Sequence, residues 1–412
     1  MKYGLIGEHL KHSFSKEIHN SLSDYEYELT EIPKDKLDEF MLKRDFKAIN
    51  VTIPYKEAVI PYLHYIDDAA KEIGAVNTIL NKDGRLYGYN TDFYGMSMLI
   101  SHANIDLNGK KVAILGTGGT SKTANAVSKS LFAKDILTVS RKKTDNTITY
   151  DELYKLHNDT DVIINTTPVG MYPNNLDKPI DIGEFSNLKG VIDAIYNPLR
   201  TPLIFDALNK KINAEGGLYM LVAQAVKASE LFSGKTYENG KLDKVFNKIR
   251  QSKENIVLIG MPSSGKSTVG KAIAKKLGRT FYDTDEYIEM TSGRKIPDII
   301  KTDGEKSFRD AETCAVKELF AHTGVVISTG GGTVLREENM KALSQNGKIY
   351  FIDRPLEYLM PTSDRPLTST KEELIKKYNE RYPLYEGWAD VKIDASGTVT
   401  KIANNITGDF LK

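Results

Sequence analysis

The sequence predicts an α/β fold in which parallel sheets are covered by helices on both faces. Three observations carry the prediction. Short apolar runs alternate with stretches of helical period along the whole chain, and twice a glycine loop separates such a run from such a stretch, at 116–119 and at 260–267. Strands buried on both faces lose the polar alternation of a half-exposed sheet, and a helix must return the chain to the next parallel strand.

Length and composition bound the rest. With 412 residues, at roughly 150 per domain, two or three domains are expected. Apolar residues make up 40% and charged residues 27%, ordinary for a globular chain. A formal net charge of +1 speaks against nucleic acid as the main partner. No apolar run approaches the roughly 18 residues of a membrane helix, so no membrane partner is expected. The start, Met1 to Gly7, lacks the apolar core of a secretory signal. The single cysteine, Cys314, forms no internal disulfide, fits a cytoplasmic location, and is expected as a small buried residue in a helical stretch. The seven histidines form no ligand cluster, so no structural metal is expected.

In the first half, 112–115, 136–139, 162–164 and 191–192 read as buried strands, and Ala124, Val127 and Leu131 repeat at helical spacing. Between the first strand and that helix lies Gly116-Thr117-Gly118-Gly119-Thr120-Ser121, placed as a dinucleotide loop must be. Gly116, Gly118 and Gly119 are the cofactor candidates, and Ser121 stands at the third-glycine position. The next strand ends in Ser140-Arg141-Lys142, where NAD-specific folds carry an acidic residue. Cations there suit a 2′-phosphate and predict NADP(H); two solvated basic residues after a strand are the alternative. Upstream, the stretch 50–56 ends an apolar strand with a turn and Lys56, and Asn90-Thr91-Asp92 precedes Gly95 in another turn. A lysine held near an aspartate can protonate a developing alkoxide, although each residue alone would read as a surface lysine and a capping aspartate. The polar, lysine-rich segment 232–255 reads as a connector, with Val245, Phe246 and Ile249 allowing a short helix docked on the first half.

In the second half, 256–259, 325–327 and 349–352 read as strands, and Val269, Ile273 and Leu277 follow at helical spacing. Gly260-Met261-Pro262-Ser263-Ser264-Gly265-Lys266-Ser267 matches the P-loop pattern between strand and helix. Backbone N–H groups of Gly260, Ser263, Ser264, Gly265 and the helix start at Thr268 suit phosphates, Lys266 suits the β- and γ-phosphates of ATP, and the Ser267 hydroxyl suits Mg²⁺. Asp283 and Asp285 are expected on one face at the end of the next strand, one serving the metal and one a substrate hydroxyl. Glu305, Arg309 and Glu312 share a helical face, either as a surface ion-pair ladder or with Arg309 as a carboxylate clamp. The run Gly330-Gly331-Gly332 suits a substrate lying against bare backbone. Asp364-Arg365-Pro366-Leu367 sits in a polar loop able to close over phosphates, and Arg381 follows on a helix.

Taken in order, these elements resemble two families. His12-Ser13-Phe14-Ser15-Lys16-Glu17-Ile18-His19-Asn20, NVTIPYK, GAVNT (74–78), GYNTDFYG (88–95), the glycine loop, NTTPVGM (165–171) and the run around Gln224 resemble shikimate dehydrogenase across 1 to about 240. The resemblance implies a substrate lobe (1–100 plus about 216–240) and a Rossmann NADP lobe (101–215), with Lys56 and Asp92 as the catalytic pair. It further implies that Ser13 and Ser15 bind the substrate carboxylate, that Thr52, Asn77, Asn90 and Gln224 read ring hydroxyls, and that Tyr196 lines the same pocket. Lys16 stands where that family usually has proline. The P-loop, Asp-x-Asp, GExxFRxxE, GGG, DRPL and RxPxY elements of 255–412 resemble shikimate kinase, with 241–254 as linker. This implies that Asp285, Arg309, Gly331, Gly332 and Arg381 bind shikimate, that Arg365 is the lid arginine, and that Asp283 helps hold Mg²⁺. The approach to the lid, 354–365, is shorter than is usual in that family. Together the two resemblances imply NADPH-dependent reduction of 3-dehydroshikimate to shikimate followed by ATP-dependent phosphorylation of its 3-hydroxyl. Small molecules are the expected partners, and a homodimer is compatible with the sequence. Quinate for the first half, another small polyol for the second, and a regulatory protein with one inactive site are the rivals.

Overall fold

The computed structural model describes residues 1–10, 13–23, 25–359 and 370–412. The chain divides into two compact units, Met1–Ile249 and Arg250–Lys412.

The first unit holds two sheets. One comprises β1 (Tyr3–Gly7), β2 (Tyr27–Glu31), β3 (Ala48–Val51), β4 (Tyr65–Ile66), β5 (Thr78–Lys82) and β6 (Arg85–Tyr89), in the order β2-β1-β3-β5-β6-β4. The other comprises β7 (Lys111–Leu115), β8 (Asp135–Val139), β9 (Val162–Asn165), β10 (Gly190–Asp193) and β11 (Asn213–Glu215), in the order β11-β10-β9-β7-β8. Every pairing in the second sheet is parallel. Strand alternation shares its residues between two cores: Val112 and Ile114 pack with Ala124 and Val127, while Ala113 and Leu115 pack with Leu203 and Ile204. The first sheet departs from the parallel expectation, because β5 pairs antiparallel with both β3 and β6. The cause is local: Asp83 and Gly84, at φ +52° and +82°, turn the chain between Lys82 and Arg85 in a two-residue hairpin.

A further sequence expectation shifts. Thr91, Asp92 and Gly95 lie in the helix Thr91–His102 rather than in a turn, because the Asn90 side chain accepts the Phe93 N–H (3.2 Å) and caps that helix. Gly95 then allows a close helix contact, since a Cβ there would meet the Met220 carbonyl at 2.7 Å. The expected linker is the helix Lys241–Lys253, whose Val245, Phe246 and Ile249 are buried in the core of the first unit.

In the second unit β12 (Asn255–Ile259), β13 (Phe281–Asp283), β14 (Val326–Ser328), β15 (Gly347–Asp353) and β16 (Val391–Asp394) form one parallel sheet, in the order β13-β14-β12-β15-β16. All of β12 is buried. Its Ile256 and Leu258 face Val269, Ile273 and Ile406, and Val257 and Ile259 face Val316, Leu319 and Leu343. Asp283 and Asp285 do not share a strand face. Asp283 ends β13 and caps the helix Thr284–Ser292 by accepting the Asp285 N–H (3.0 Å), so Asp285 belongs to the first helical turn. Cys314 is exposed on the helix Ile296–Leu319, against the expectation of burial; buried Thr313 and Ala315 flank it on the core side.

The first unit also buries an imidazole. His19 stacks on Tyr27 with ring centroids 3.9 Å apart, and its Nδ1 shares a 2.7 Å hydrogen bond with the Tyr25 hydroxyl, which donates to Ser229. Burial pushes the His19 pKa down to about 3, against an opposing hydrogen bond with Asn50. Below the ordinary histidine value near 6.5 the unfolded chain takes up a proton that the folded chain refuses. This contribution to stability is therefore complete above about pH 6.5 and is lost as pH falls toward 3. Asp193, whose carboxyl burial raises to about 6, acts in the opposite sense and is common to both proteins in the comparison that follows. Between about pH 6 and 4 the unfolding free energy of the native protein is expected to fall roughly 1.4 kcal/mol per pH unit more steeply than that of His19→Gln. Urea titrations at several pH values check this, and parallel profiles would refute it.

Candidate active sites

In the first unit a cavity of about 550 Å³ opens where the C-terminal ends of β1 and β3 meet the helices Thr91–His102 and Leu218–Ser233. Lys56 enters it from the turn after β3, and Asp92 from the first helical turn that Asn90 caps. Lys56 Nζ donates to Asp92 Oδ2 at 2.6 Å, with the two side chains 24% and 14% exposed. The pair is shielded yet reachable, a cation held in place by a carboxylate. Ser13, Ser15, Thr52, Asn77, Tyr196 and Gln224 line the same cavity. Ser13 Oγ accepts the Ser15 N–H (3.2 Å) at the start of the helix Ser15–Leu22. Lys16, beside them, is exposed. Gln224 comes from the helix Leu218–Ser233 and its Oε1 accepts from Thr91 Oγ1 at 3.3 Å. Burial raises the Tyr196 hydroxyl above the usual tyrosine range.

Asn90 is not brought into the cavity. Its amide donates to the Ala75 carbonyl (2.8 Å) while its oxygen caps the helix, so both ends serve the backbone. Asn50, a lining residue that sequence reasoning passed over, joins Tyr27 (2.7 Å) and Thr78 (3.0 Å). His9 and Thr120 also line the cavity, and Thr91 holds Asn77 in place through its N–H (2.8 Å). The signal for Asn50 was its place one residue before Val51-Thr52 at a buried strand end; no sequence cue marked His9.

The glycine loop of this unit joins β7 to the helix Gly119–Ser130. Gly116, at φ +108°, has no room for a side chain, because a Cβ would lie 2.9 Å from Thr166 Oγ1. At Gly118 and Gly119 the space beside the backbone is open, with the helix N–H groups behind it. Ser121 is 4% exposed and packs inward, as its place in the motif required. Ser140, Arg141 and Lys142 follow β8; the Lys142 N–H donates to Ser140 Oγ (3.3 Å), and the Arg141 and Lys142 side chains are exposed. Donors at a helix start and free-standing cations beyond the neighbouring strand fit a phosphorylated dinucleotide.

In the second unit a cavity of about 250 Å³ gathers Lys266, Ser267, Asp283, Asp285, Arg309, Gly331, Gly332 and Arg381. The P-loop spans β12 and the helix Lys266–Leu277, with Gly260, Ser263 and Gly265 at φ +147°, +63° and +93°. Lys266 Nζ donates to the carbonyls of Gly260 (3.0 Å) and Met261 (2.8 Å). Ser264 is 2% exposed, and its hydroxyl has no hydrogen-bond partner among the described residues. Thr268 follows in the first turn of the helix. Ser267 Oγ donates to Asp283 Oδ2 at 2.6 Å, which sets two hard oxygen ligands side by side, a donor set that suits a magnesium ion retaining most of its waters.

Arg309 is 8% and Arg381 4% exposed. Arg309 donates to Glu312 (2.8 Å) and Glu305 (3.2 Å), and Arg381 to the Gly331 carbonyl (3.0 Å). The Nε of each is shielded from water without a partner among the described residues. Arg309 thus forms the ion pairs of the ladder alternative, but as a buried side chain rather than on the surface. The pKa of Lys377, one helical turn from Arg381, is pushed down by burial and then by the Arg381 charge. The glycine triplet has a second reason beyond ligand access. A Cβ on Gly330 would lie 2.6 Å from Asp285, on Gly331 2.6 Å from Pro262, and on Gly332 2.3 Å from the Arg309 guanidinium. Protein atoms fill that space, so the glycines let the site's own side chains close in. Arg365 lies outside the described residues.

Comparison with known proteins follows the same division. Residues 5–79 match the family model for the shikimate dehydrogenase substrate binding domain, and residues 262–410 match that for shikimate kinase. A shikimate dehydrogenase (NADP(+)) of Clostridium beijerinckii is 40% identical over 247 residues, covering 56% of this chain and 91% of the relative. One of Staphylococcus aureus is 35% identical over 252 residues, covering 57% and 93%. Among solved structures, shikimate dehydrogenase 1 of Peptoclostridium difficile superposes with a TM-score of 0.55 at 37% identity, covering 60% of this chain and 98% of that one. A chorismate mutase/shikimate 5-dehydrogenase fusion protein of Clostridium acetobutylicum does so with a TM-score of 0.57 at 36% identity, covering 60% and 97%. With nearly the full length of these relatives matched by the first unit, and the kinase model spanning the second, the chain belongs to the shikimate dehydrogenase family and carries a shikimate kinase domain fused behind it.

Proposed function

We propose that the first unit reduces the ring carbonyl of 3-dehydroshikimate with NADPH, and that the second phosphorylates the 3-hydroxyl of the resulting shikimate with ATP. The observation that carries the proposal is the Lys56–Asp92 pair, 2.6 Å apart in a cleft that also holds Ser13, Ser15, Thr52, Asn77 and Gln224. When bound, NADPH supplies the hydride. Lys56 donates a proton to the oxygen on which negative charge builds, and Asp92 holds the ammonium in position. The Ser13 and Ser15 hydroxyls hold the substrate carboxylate; Thr52, Asn77 and Gln224 read the ring hydroxyls. Gly118 and Gly119 admit the pyrophosphate and Arg141 and Lys142 the 2′-phosphate, a reading supported by relatives named for NADP(+).

For the second unit, ATP supplies the phosphoryl group when bound, and Ser267 with Asp283 holds Mg²⁺. Asp285 accepts the proton of the substrate hydroxyl, Lys266 draws the phosphates into the loop, and Arg309 and Arg381 take the carboxylate through the donor edges that the protein leaves open. The product of one reaction is the substrate of the other. No helix among the described residues is long and apolar enough to cross a membrane.

Purified protein is expected to consume NADPH with 3-dehydroshikimate and then, on addition of ATP and Mg²⁺, to yield a product heavier by one phosphoryl group by mass spectrometry. Absence of the phosphorylated product would refute the kinase assignment, and absence of NADPH consumption the dehydrogenase one. Lys56→Met should lower kcat for NADPH oxidation by about 10²–10⁴-fold and leave shikimate phosphorylation intact. Arg141→Ala should raise the KM for NADPH roughly tenfold and leave that for NADH unchanged; equal effects on both would refute the 2′-phosphate contact. Gly332→Ala, which drives a methyl into Arg309, should raise the KM for shikimate several-fold while NADPH oxidation is unaffected, as steady-state assays of the two reactions would read.

A further inference from the structure

Beside the P-loop stands a cation to which the phosphoryl-transfer reading gives no task. Arg354 directly follows β15. β15 runs parallel to β12 with Ile259 opposite Phe351, so the ends of the two strands emerge together, and a Cβ on Gly260 would meet the Ile352 carbonyl at 2.7 Å. Pro355, next in the chain, disfavours helical backbone at Arg354. The Arg354 Nη1 lies 3.9 Å from the point that a Cβ on Gly265 would occupy, at the N-cap of the helix Lys266–Leu277.

Among the described residues the guanidinium has no ion-pair partner within 4 Å. Its Nε is shielded from water without a hydrogen-bond partner among the described residues. The adjacent carboxylate, Asp353, is taken by the Tyr382 hydroxyl (3.0 Å) and Lys392 (3.3 Å). A positive charge at a helix N-terminus is electrostatically unfavourable by itself, because the unsatisfied N–H groups carry the same sign. Lys266 adds a second cation to the same loop, and the Ser264 hydroxyl, in a residue 2% exposed, has no partner among the described residues. Two cations, a helix start and an orphaned hydroxyl become mutually consistent when a polyanion lies among them.

We propose that Arg354 is a further nucleotide-binding residue, one that grips the phosphate chain of a nucleoside di- or triphosphate from the end of β15. The proposal rests on the kinase reading of the second unit. An arginine set directly after a sheet strand is held in place by that strand, so it acts on nucleotide capture more than on the chemical step.

The test uses the full chain with Arg354→Gln and Arg354→Lys. The Gln variant should raise the KM for ATP roughly 10–100-fold, the range of one charge-assisted contact, with a much smaller change in kcat and none in the KM for shikimate. The Lys variant should recover part of the loss, and unaltered NADPH oxidation in both checks the integrity of the preparation. Calorimetry with inorganic tripolyphosphate should show the same weakening in the Gln variant, with adenosine binding unchanged. An unaltered KM for ATP would overturn the proposal, as would weakened adenosine binding with tripolyphosphate binding intact. If the native protein binds tripolyphosphate through Arg354 but phosphorylates no shikimate, the substrate reading falls and the phosphate contact stands.

Discussion

Burial of parallel strands on both faces is the constraint from which the rest of the architecture follows. Strands such as Val162–Asn165 and Asn255–Ile259 have no residue facing water, so each face needs a covering helix, and each helix must carry the chain back to start the next strand in the same direction. The C-terminal strand ends then all open on one edge, where helix N-termini arrive. Phosphate chemistry belongs at that edge because unpaired N–H groups accumulate there. Both glycine loops occupy it, at Gly118 before the helix Gly119–Ser130 and at Gly265 before the helix Lys266–Leu277.

On that scaffold the two sites handle charge in different ways. The Lys56–Asp92 pair is partly open to water and neutral as a unit, so an anionic substrate entering the cleft meets hydroxyls and amides rather than a cationic field. The second site gathers charges of both signs, with Lys266, Arg309 and Arg381 set among Asp283, Asp285 and Glu312. Arg309 is tolerated in the interior because Glu312, fully buried, receives it at 2.8 Å and is itself completed by the Thr333 hydroxyl at 2.8 Å. Removing one partner of such a pair strands the other, typically at a cost of about 3–5 kcal/mol. The arginine is therefore a built element of the pocket floor, and the missing Cβ of Gly332 is what lets it lie flat.

Residues of chemical type were legible in the sequence because their spacing along strand–loop–helix units follows from local geometry. Lys56, Asp92, Lys266, Ser267, Asp283, Asp285, Arg309 and Arg381 all reach the cavities described. What was less legible depended on caps and packing. Asn90 reads as a polar residue in a loop, yet its side chain is consumed by the Phe93 N–H and the Ala75 carbonyl. Asp285 reads as a strand residue until Asp283 caps a helix beneath it. The antiparallel β5–β6 hairpin had a local signature in Asp83-Gly84, but the surrounding alternation of strands and helices outweighed it.

The sequence by itself determined the α/β class, the two glycine loops with their flanking strands and helices, and the kinds of group available at each site, because these depend on periodicity and on motifs a few residues long. Only the tertiary structure decided which groups meet. Gln224 reaches Thr91 across 133 positions, Arg381 meets Gly331 across 50, and Arg354, unremarkable in the chain, stands over Gly265 because β12 and β15 end together. Contacts of that range are set by how buried faces pack against one another, and packing is a property of the whole folded unit that no short window of sequence contains.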